Sequence, residues 1–372
     1  MKVLLVATVQ SHICQFHHPL VDLLHSHGAE VHVAARNNLA EKNGLKLDFV
    51  EKVFDIPFAR SPKSLDNIRA YHQLKRILEC ENYDIVHCNT PMGGIVTRLA
   101  ARGVRRRGTK VFYTAHGFHF YGGAPKKNWI VFYPIEKYFS HLTDKLITIT
   151  HEDYNLASRK FHCEVCHTHG VGVDAKRYFP VSEVEKNNLR KQMGYAPGQK
   201  LILCVGELLQ NKNQTMAIDM MLHVKEQYHD AVLILAGNGP RKEYLKQYIQ
   251  DRGLSANVEM IGYVTNLQDY QHIVDLQVAC SKREGLPLNV VEAMLSGTPV
   301  VASSNRGHRE LIHDGDNGFI VTLDDSQKMA LRVLQLLSDD ILRGRICESA
   351  LDYAANYSFE SVVDDLGKVY GL

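Results

Sequence analysis

Runs of β-branched and apolar residues alternate with helix-length amphipathic segments, and the whole alternation occurs twice along the chain. Few folds satisfy that pattern, because a strand apolar on both faces has to sit in a parallel sheet covered by helices. Strands are predicted at residues 3–9, 30–35, 85–89, 110–115 and 145–150, and again at 201–206, 232–236, 258–261, 276–279, 299–302 and 319–321. After Val173-Asp174 the stretch 177–197 turns polar and contains Pro180, Gly194 and Pro197, which places a boundary there. The predicted architecture is α/β: two doubly wound, Rossmann-like domains, residues 1–176 and 177–356, facing each other across a cleft. With 372 residues, each domain is large enough to bury its own core.

The charge balance narrows the partners. Lys and Arg number 43 against 41 Asp and Glu, so no polyelectrolyte character calls for nucleic acid. The apolar opening, Met1 to Ala7, soon reaches Gln10, Ser11 and His12, too short to span a membrane, and reads as a first buried strand. Eight cysteines fit reduced thiols and a cytoplasmic location better than a disulfide framework. Cys163-Glu164-Val165-Cys166-His167 matches the haem-attachment spacing, and with His162 and His169 it also suggests a metal cluster. A second ligand pair is not evident in the sequence, and a reduced, solvated cysteine pair is the reading preferred.

In open α/β sheets ligands bind beyond the carboxyl ends of strands. There the most informative stretch runs from Ser281 to Met294 and reads as strand, tight loop, helix. Gly285 permits close backbone approach, Pro287 suits the first helical turn, and the amides there form an anion site fit for a diphosphate. Glu284 and Glu292 place two carboxylates near one helix start, able to accept hydrogen bonds from sugar or ribose hydroxyls. The plainer alternative is a loop charge and a helix charge favoured by the macrodipole. In the loop from Val205 to Asn213, Lys212 can approach a phosphate as a mobile point charge, or simply be a solvated lysine.

These residues together resemble glycosyltransferase family 4, retaining enzymes of the GT-B fold, in the capsular and exopolysaccharide subgroup. The resemblance rests on Glu284 and Glu292, on Gly206-x-Leu208-x-x-x-Lys212, on Ala236-Gly237-Asn238-Gly239-Pro240, and on Thr298-Pro299-Val300-Val301 before Gly307-x-x-Glu310-Leu311-Ile312. It implies that Glu284 and the amides of Gly285, Leu286 and Leu288 hold the donor sugar, that Glu292 binds the ribose, and that Lys212 beside Gly206 neutralises the diphosphate. The loop at Val264 is implied to lie against the base. A uridine diphosphate donor is the default, metal-independent catalysis without other cofactor is the family habit, and residues 357–372 are implied to cross back onto the first domain as a helix. The family's commoner loop has an arginine after the first glycine, where this chain has Glu207; Arg283 is the candidate to supply the missing charge.

In the first half, the loop from Tyr113 to Gly123 is rich in aromatics and histidines. The resemblance implies that His116 bonds a hydroxyl of the transferred sugar; the alternative is a histidine satisfied inside a packed loop, and His119 reads as structural. The turn from Thr8 to Ile13 lacks the family's paired glycines. Arg98, Arg102, Arg105, Arg106, Arg107 and Lys110, with Lys126-Lys127 before an apolar run, suit an anionic membrane surface and a lipid-diphosphate acceptor, or are solvated helix charges. The expected activity is hexosyl or N-acetylhexosaminyl transfer to a lipid-linked glycan. A nucleotide-sugar epimerase and a non-catalytic nucleotide-sugar-binding protein are the alternatives.

Overall fold

The computed structural model describes residues 1–41 and 44–372. The chain divides into two compact units, Met1–Gly172 with Phe359–Leu372, and Val173–Ser358. Both divisions lie a few residues from those expected. The reason is local: Val173 and Ser358 form a short parallel bridge, and the Val173 N–H donates to the Tyr357 carbonyl at 2.9 Å, which draws both crossings into the second unit.

The first unit contains β1 (Lys2–Val9), β2 (Glu30–Arg36), β3 (Lys52–Asp55), β4 (Ile85–Asn89), β5 (Lys110–Ala115), β6 (Lys145–Thr148) and β7 (Glu164–His167). They form a parallel sheet in the order β3-β2-β1-β4-β5-β6-β7. Alternate residues of β1 serve opposite faces: Val3 and Leu5 pack with Ile13, Leu20 and Val369, while Leu4 and Val6 pack with Leu74 and Val86. Helices cover both faces, which is why the strand reads as a continuous apolar run. The carboxyl-terminal helix Phe359–Tyr370 belongs to this unit, and the Tyr370 hydroxyl lies 2.6 Å from Nδ1 of the buried His87.

The second unit contains β8 (Leu201–Val205), β9 (Val232–Ala236), β10 (Val258–Gly262), β11 (Leu276–Ala279), β12 (Val300–Ser303) and β13 (Phe319–Val321). Its parallel order is β10-β9-β8-β11-β12-β13. In each sheet the winding reverses once, between β1 and β4 and between β8 and β11. The crevices beyond the carboxyl ends of those two strand pairs are where open α/β sheets take ligands.

β3 and β7 are absent from the predicted strands. Both are short edge strands carrying charge, and neither has the apolar run that marks a buried strand. β7 also accounts for the cysteine cluster. Cys163 packs with the hydrophobic cluster on one face of the sheet and Cys166 with that on the other. Burial raises both thiols to about 11, so they are protonated side chains pointing apart. The polar stretch 177–197 is likewise part of a domain. Ser182 and Glu185 form a capping box on the helix Glu183–Gln192, and buried Arg190 bonds the Ile273 and Pro197 carbonyls and pairs with Asp275 at 3.0 Å.

Candidate active site

In the second unit the crevice between β8 and β11 is built from two loops clasped together. The Lys282 N–H donates to the Asn211 carbonyl at 2.8 Å, and the Asn211 amide donates to the Arg283 carbonyl at 2.9 Å. Lys212 and Glu284 meet there, with Nζ 2.7 Å from Oε1. Gly206 makes the approach possible: at φ +152°, a Cβ on it would stand 3.2 Å from the Lys212 stem. Gly307 does the same for the opposite loop, where a Cβ would fall 2.5 Å from the Gly285 carbonyl and 2.7 Å from the Glu284 Cβ. His308 follows it, capped by Asn305 and bonded through Nδ1 to the Ser303 carbonyl at 2.7 Å; burial lowers it to about 4, and both Glu284 and Lys212 act on it electrostatically.

The Gly237-Asn238-Gly239 segment serves packing. A Cβ on Gly237 would meet the Gly206 carbonyl at 2.1 Å, and one on Gly239 would meet the Leu208 backbone at 2.6 Å. These glycines let one loop lie flat on the other, tied by the Leu208 N–H to the Asn238 carbonyl.

Beyond Gly285 and Leu286, Pro287 stands at the N-cap of the helix Leu288–Leu295 and contributes no side-chain bond, leaving the helix start to its own amides. Glu292 lies one turn further. Burial raises its carboxyl to about 7, opposed by the Tyr178 hydroxyl that donates to it and by the nearby Arg177 guanidinium. Arg177 in turn bonds Gln268 at 2.8 Å and the Thr265 carbonyl, steadying the segment that follows Val264. Arg283 is exposed, as is Glu207, so the two residues singled out for the diphosphate charge both face solvent.

Sequence reasoning missed Tyr178, Arg177, His308 and Asn211. Tyr178 and Arg177 fall at the start of the polar stretch that marks the domain boundary, and their partners lie far along the chain. His308 had a signal, its place beside Gly307 in the quoted motif.

In the first unit, His116 follows β5. Its Nε2–H donates to Asn89 Oδ1 at 3.2 Å, and burial lowers it to about 4. His119 is exposed and stacks on Phe132 at 4.7 Å. An apolar cavity of about 500 Å³ opens beside His12, lined among others by Met92, Ile95, Phe118, Phe120 and Ile135. Along its rim the helix Lys126–Ser140 exposes Ile130, Val131 and Phe132, with Lys126 and Lys127 at its start.

Two members of the expected basic surface are paired with acids, and one of them is buried. Arg98 is 2% exposed, pairs with Glu136 at 2.9 Å and lies over the Tyr113 ring at 4.0 Å. Arg105 makes two bonds of 3.0 Å to Asp144. The acids that neutralise them come from other elements, so the local run of cations misleads. Arg102, Arg106, Arg107 and Lys110 remain exposed.

Residues 185–352 match the family described as glycosyl transferases group 1, and residues 2–150 match glycosyl transferase 4-like. The protein named "Putative glycosyltransferase EpsD" of Bacillus subtilis is 40% identical over 371 residues, covering 99% of this chain and 96% of its own. The UDP-Gal:alpha-D-GlcNAc-diphosphoundecaprenol alpha-1,3-galactosyltransferase of Escherichia coli is 25% identical, covering 82% of this chain and 81% of its own. The crystal structure of Anabaena Alr3699/HepE in complex with UDP and glucose has the same fold, with a TM-score of 0.79 at 20% identity, covering 100% of this chain and 99% of that one.

Proposed function

The chain belongs to the family 4 type of glycosyltransferases with the GT-B fold, and from that premise we propose that it moves a hexosyl or N-acetylhexosaminyl group from a UDP-sugar to a lipid-diphosphate-linked glycan, with retention at the anomeric carbon. The observation that carries this reading is the Lys212–Glu284 pair at the winding reversal of the second unit. In the free protein each charge satisfies the other. When a donor enters, Lys212 turns to the diphosphate and releases Glu284 to accept hydrogen bonds from the sugar hydroxyls. The uncapped start of Leu288–Leu295 and the Gly285 and Leu286 amides supply donors for a leaving diphosphate. Glu292 accepts from the ribose, Val264 borders the base, and exposed Arg283 supplies the cation that Glu207 withholds.

Retaining transfer on one face of the sugar leaves proton removal from the acceptor to the departing phosphate oxygen. The protein then has to stabilise a leaving diphosphate and an oxocarbenium-like centre, a task for fixed amides and cations, and no metal ion enters the proposed step. His116, neutral and held by Asn89, bonds a hydroxyl of the transferred sugar.

On the acceptor side, the apolar cavity and the exposed Ile130-Val131-Phe132 edge with Lys126 and Lys127 suit a lipid carrier at an anionic bilayer. That the Escherichia coli relative is named for a diphosphoundecaprenol acceptor supports the same class. No described helix is long and apolar enough to cross a membrane, so association is proposed to be peripheral, on the cytoplasmic face, in exopolysaccharide or capsule synthesis.

Calorimetric titration with uridine and guanosine diphosphates tests the donor site. Selective uridine diphosphate binding that weakens in Glu292→Ala is expected; binding of neither nucleotide would overturn the reading.

A further inference from the structure

The winding reversal of the first unit gathers three imidazoles, of which only His116 has a part in the proposed transfer. His12 stands in the helix Gln10–Phe16 directly after β1, His17 joins that helix to His18–Ser26, and His116 follows β5. One ring nitrogen from each lies within 4.8 Å of the other two. The His12 and His116 rings meet edge to face at 4.9 Å, and His17 is 6.5 Å from His116.

Two observations set this cluster apart from ordinary packed histidines. The Nε2 atoms of His12 and His17 are buried without a hydrogen-bond partner, and His17 as a whole is 4% exposed. A buried imidazole nitrogen left unpaired is costly, about 1–3 kcal/mol each. With the His116 Nε2–H donating to Asn89 Oδ1, Nδ1 carries the lone pair. A ligating histidine whose other nitrogen donates to a carbonyl is the usual arrangement around a metal. Nearby His87 offers no such lone pair, since Tyr370 and Thr114 occupy both of its nitrogens at 2.6 and 2.7 Å.

We propose that His12, His17 and His116 form a binding site for Zn²⁺. Three neutral imidazoles suit a late first-row divalent ion and leave a fourth position open. With metal–nitrogen bonds of about 2.0–2.1 Å, tetrahedral ligands stand roughly 3.4 Å apart, so modest side-chain rotation closes the site. His12 also lines the apolar cavity, as does Arg60, whose charge acts on His12 and favours an anion as the fourth ligand. Zinc uses the His116 lone pair that the proposed transfer needs, so occupancy is expected to inhibit transfer.

The test uses the full chain without an affinity tag, stripped by chelator and titrated with Co²⁺ alone. One equivalent is expected to bind with the visible absorption of four-coordinate cobalt and to be displaced by Zn²⁺. His12→Gln and His116→Gln are each expected to lower affinity at least about tenfold, with far-ultraviolet circular dichroism unchanged and, for His12→Gln, uridine diphosphate affinity unchanged. If buried His17→Gln fails to fold, the other two variants decide. Absence of Co²⁺ binding by the wild type, or equal binding by His12→Gln and His116→Gln, would overturn the proposal and leave the transfer reading untouched.

Discussion

At Glu292 burial outweighs the Tyr178 hydroxyl and the Arg177 charge, and the carboxyl rises from 4.5 to about 7. Between those pH values the folded state binds more protons than the unfolded one, so this residue's contribution to stability declines as pH rises through the window, by up to about 3 kcal/mol. A ribose that donates to the ionised carboxylate reverses the preference. Uridine diphosphate is therefore expected to bind with release of a proton near pH 6.5, read as a calorimetric enthalpy that depends on the ionisation heat of the buffer. Glu292→Gln should lessen that dependence, the remainder coming from the terminal phosphate of uridine diphosphate, which itself titrates at about pH 6; a wild type whose enthalpy is the same in every buffer would show that Glu292 does not meet the ribose as an anion. Arg283 carries a second expectation. Arg283→Ala should lower turnover of the donor about tenfold, the loss of one charge-assisted bond, and unchanged turnover and affinity would remove it as the second cation.

The loops that hold these residues depend on glycine at positions where a methyl group has no room. In Gly307→Ala the new Cβ meets the Gly285 carbonyl and the Glu284 side chain, so the loop has to shift while the sheet beneath it stays intact. Donor affinity is expected to fall at least about tenfold with a melting temperature within a few degrees of wild type, whereas unaltered affinity would detach the loop's position from donor binding. Strands buried on both faces were legible because their apolar runs are continuous; β3 and β7 were not, since an edge strand needs no such run. Lys212 and Glu284 were legible as charges just beyond strand ends. Arg98 was misread because its partner Glu136 comes from another helix, and Tyr178 escaped notice because only the fold brings it to Glu292. Chain-local pattern reports which face a residue serves, while pairing across elements is decided by topology.

On the scale of the whole chain, both units gather their candidate groups where the winding of a parallel sheet reverses, the Lys212–Glu284 pair in one and the histidine cluster in the other. The first unit adds an apolar edge with cations on the helix Lys126–Ser140, and each exposed lysine near an anionic bilayer contributes about 1 kcal/mol. The wild type is expected to float with anionic liposomes at low salt, and Ile130→Asp with Lys126→Glu and Lys127→Glu to remain in the dense fraction; equal flotation would place membrane contact elsewhere. The proposed reaction is sugar transfer to a lipid diphosphate. It is tested most directly by incubating the protein with UDP-hexoses and UDP-N-acetylhexosamines, with and without a polyprenyl-diphosphate sugar, and weighing the acceptor by mass spectrometry. One donor is expected to release UDP only when acceptor is present, adding one sugar to it, and Lys212→Ala to lose most of that activity. Consumption of a UDP-sugar with no gain in acceptor mass, or no consumption of any donor, would contradict the account.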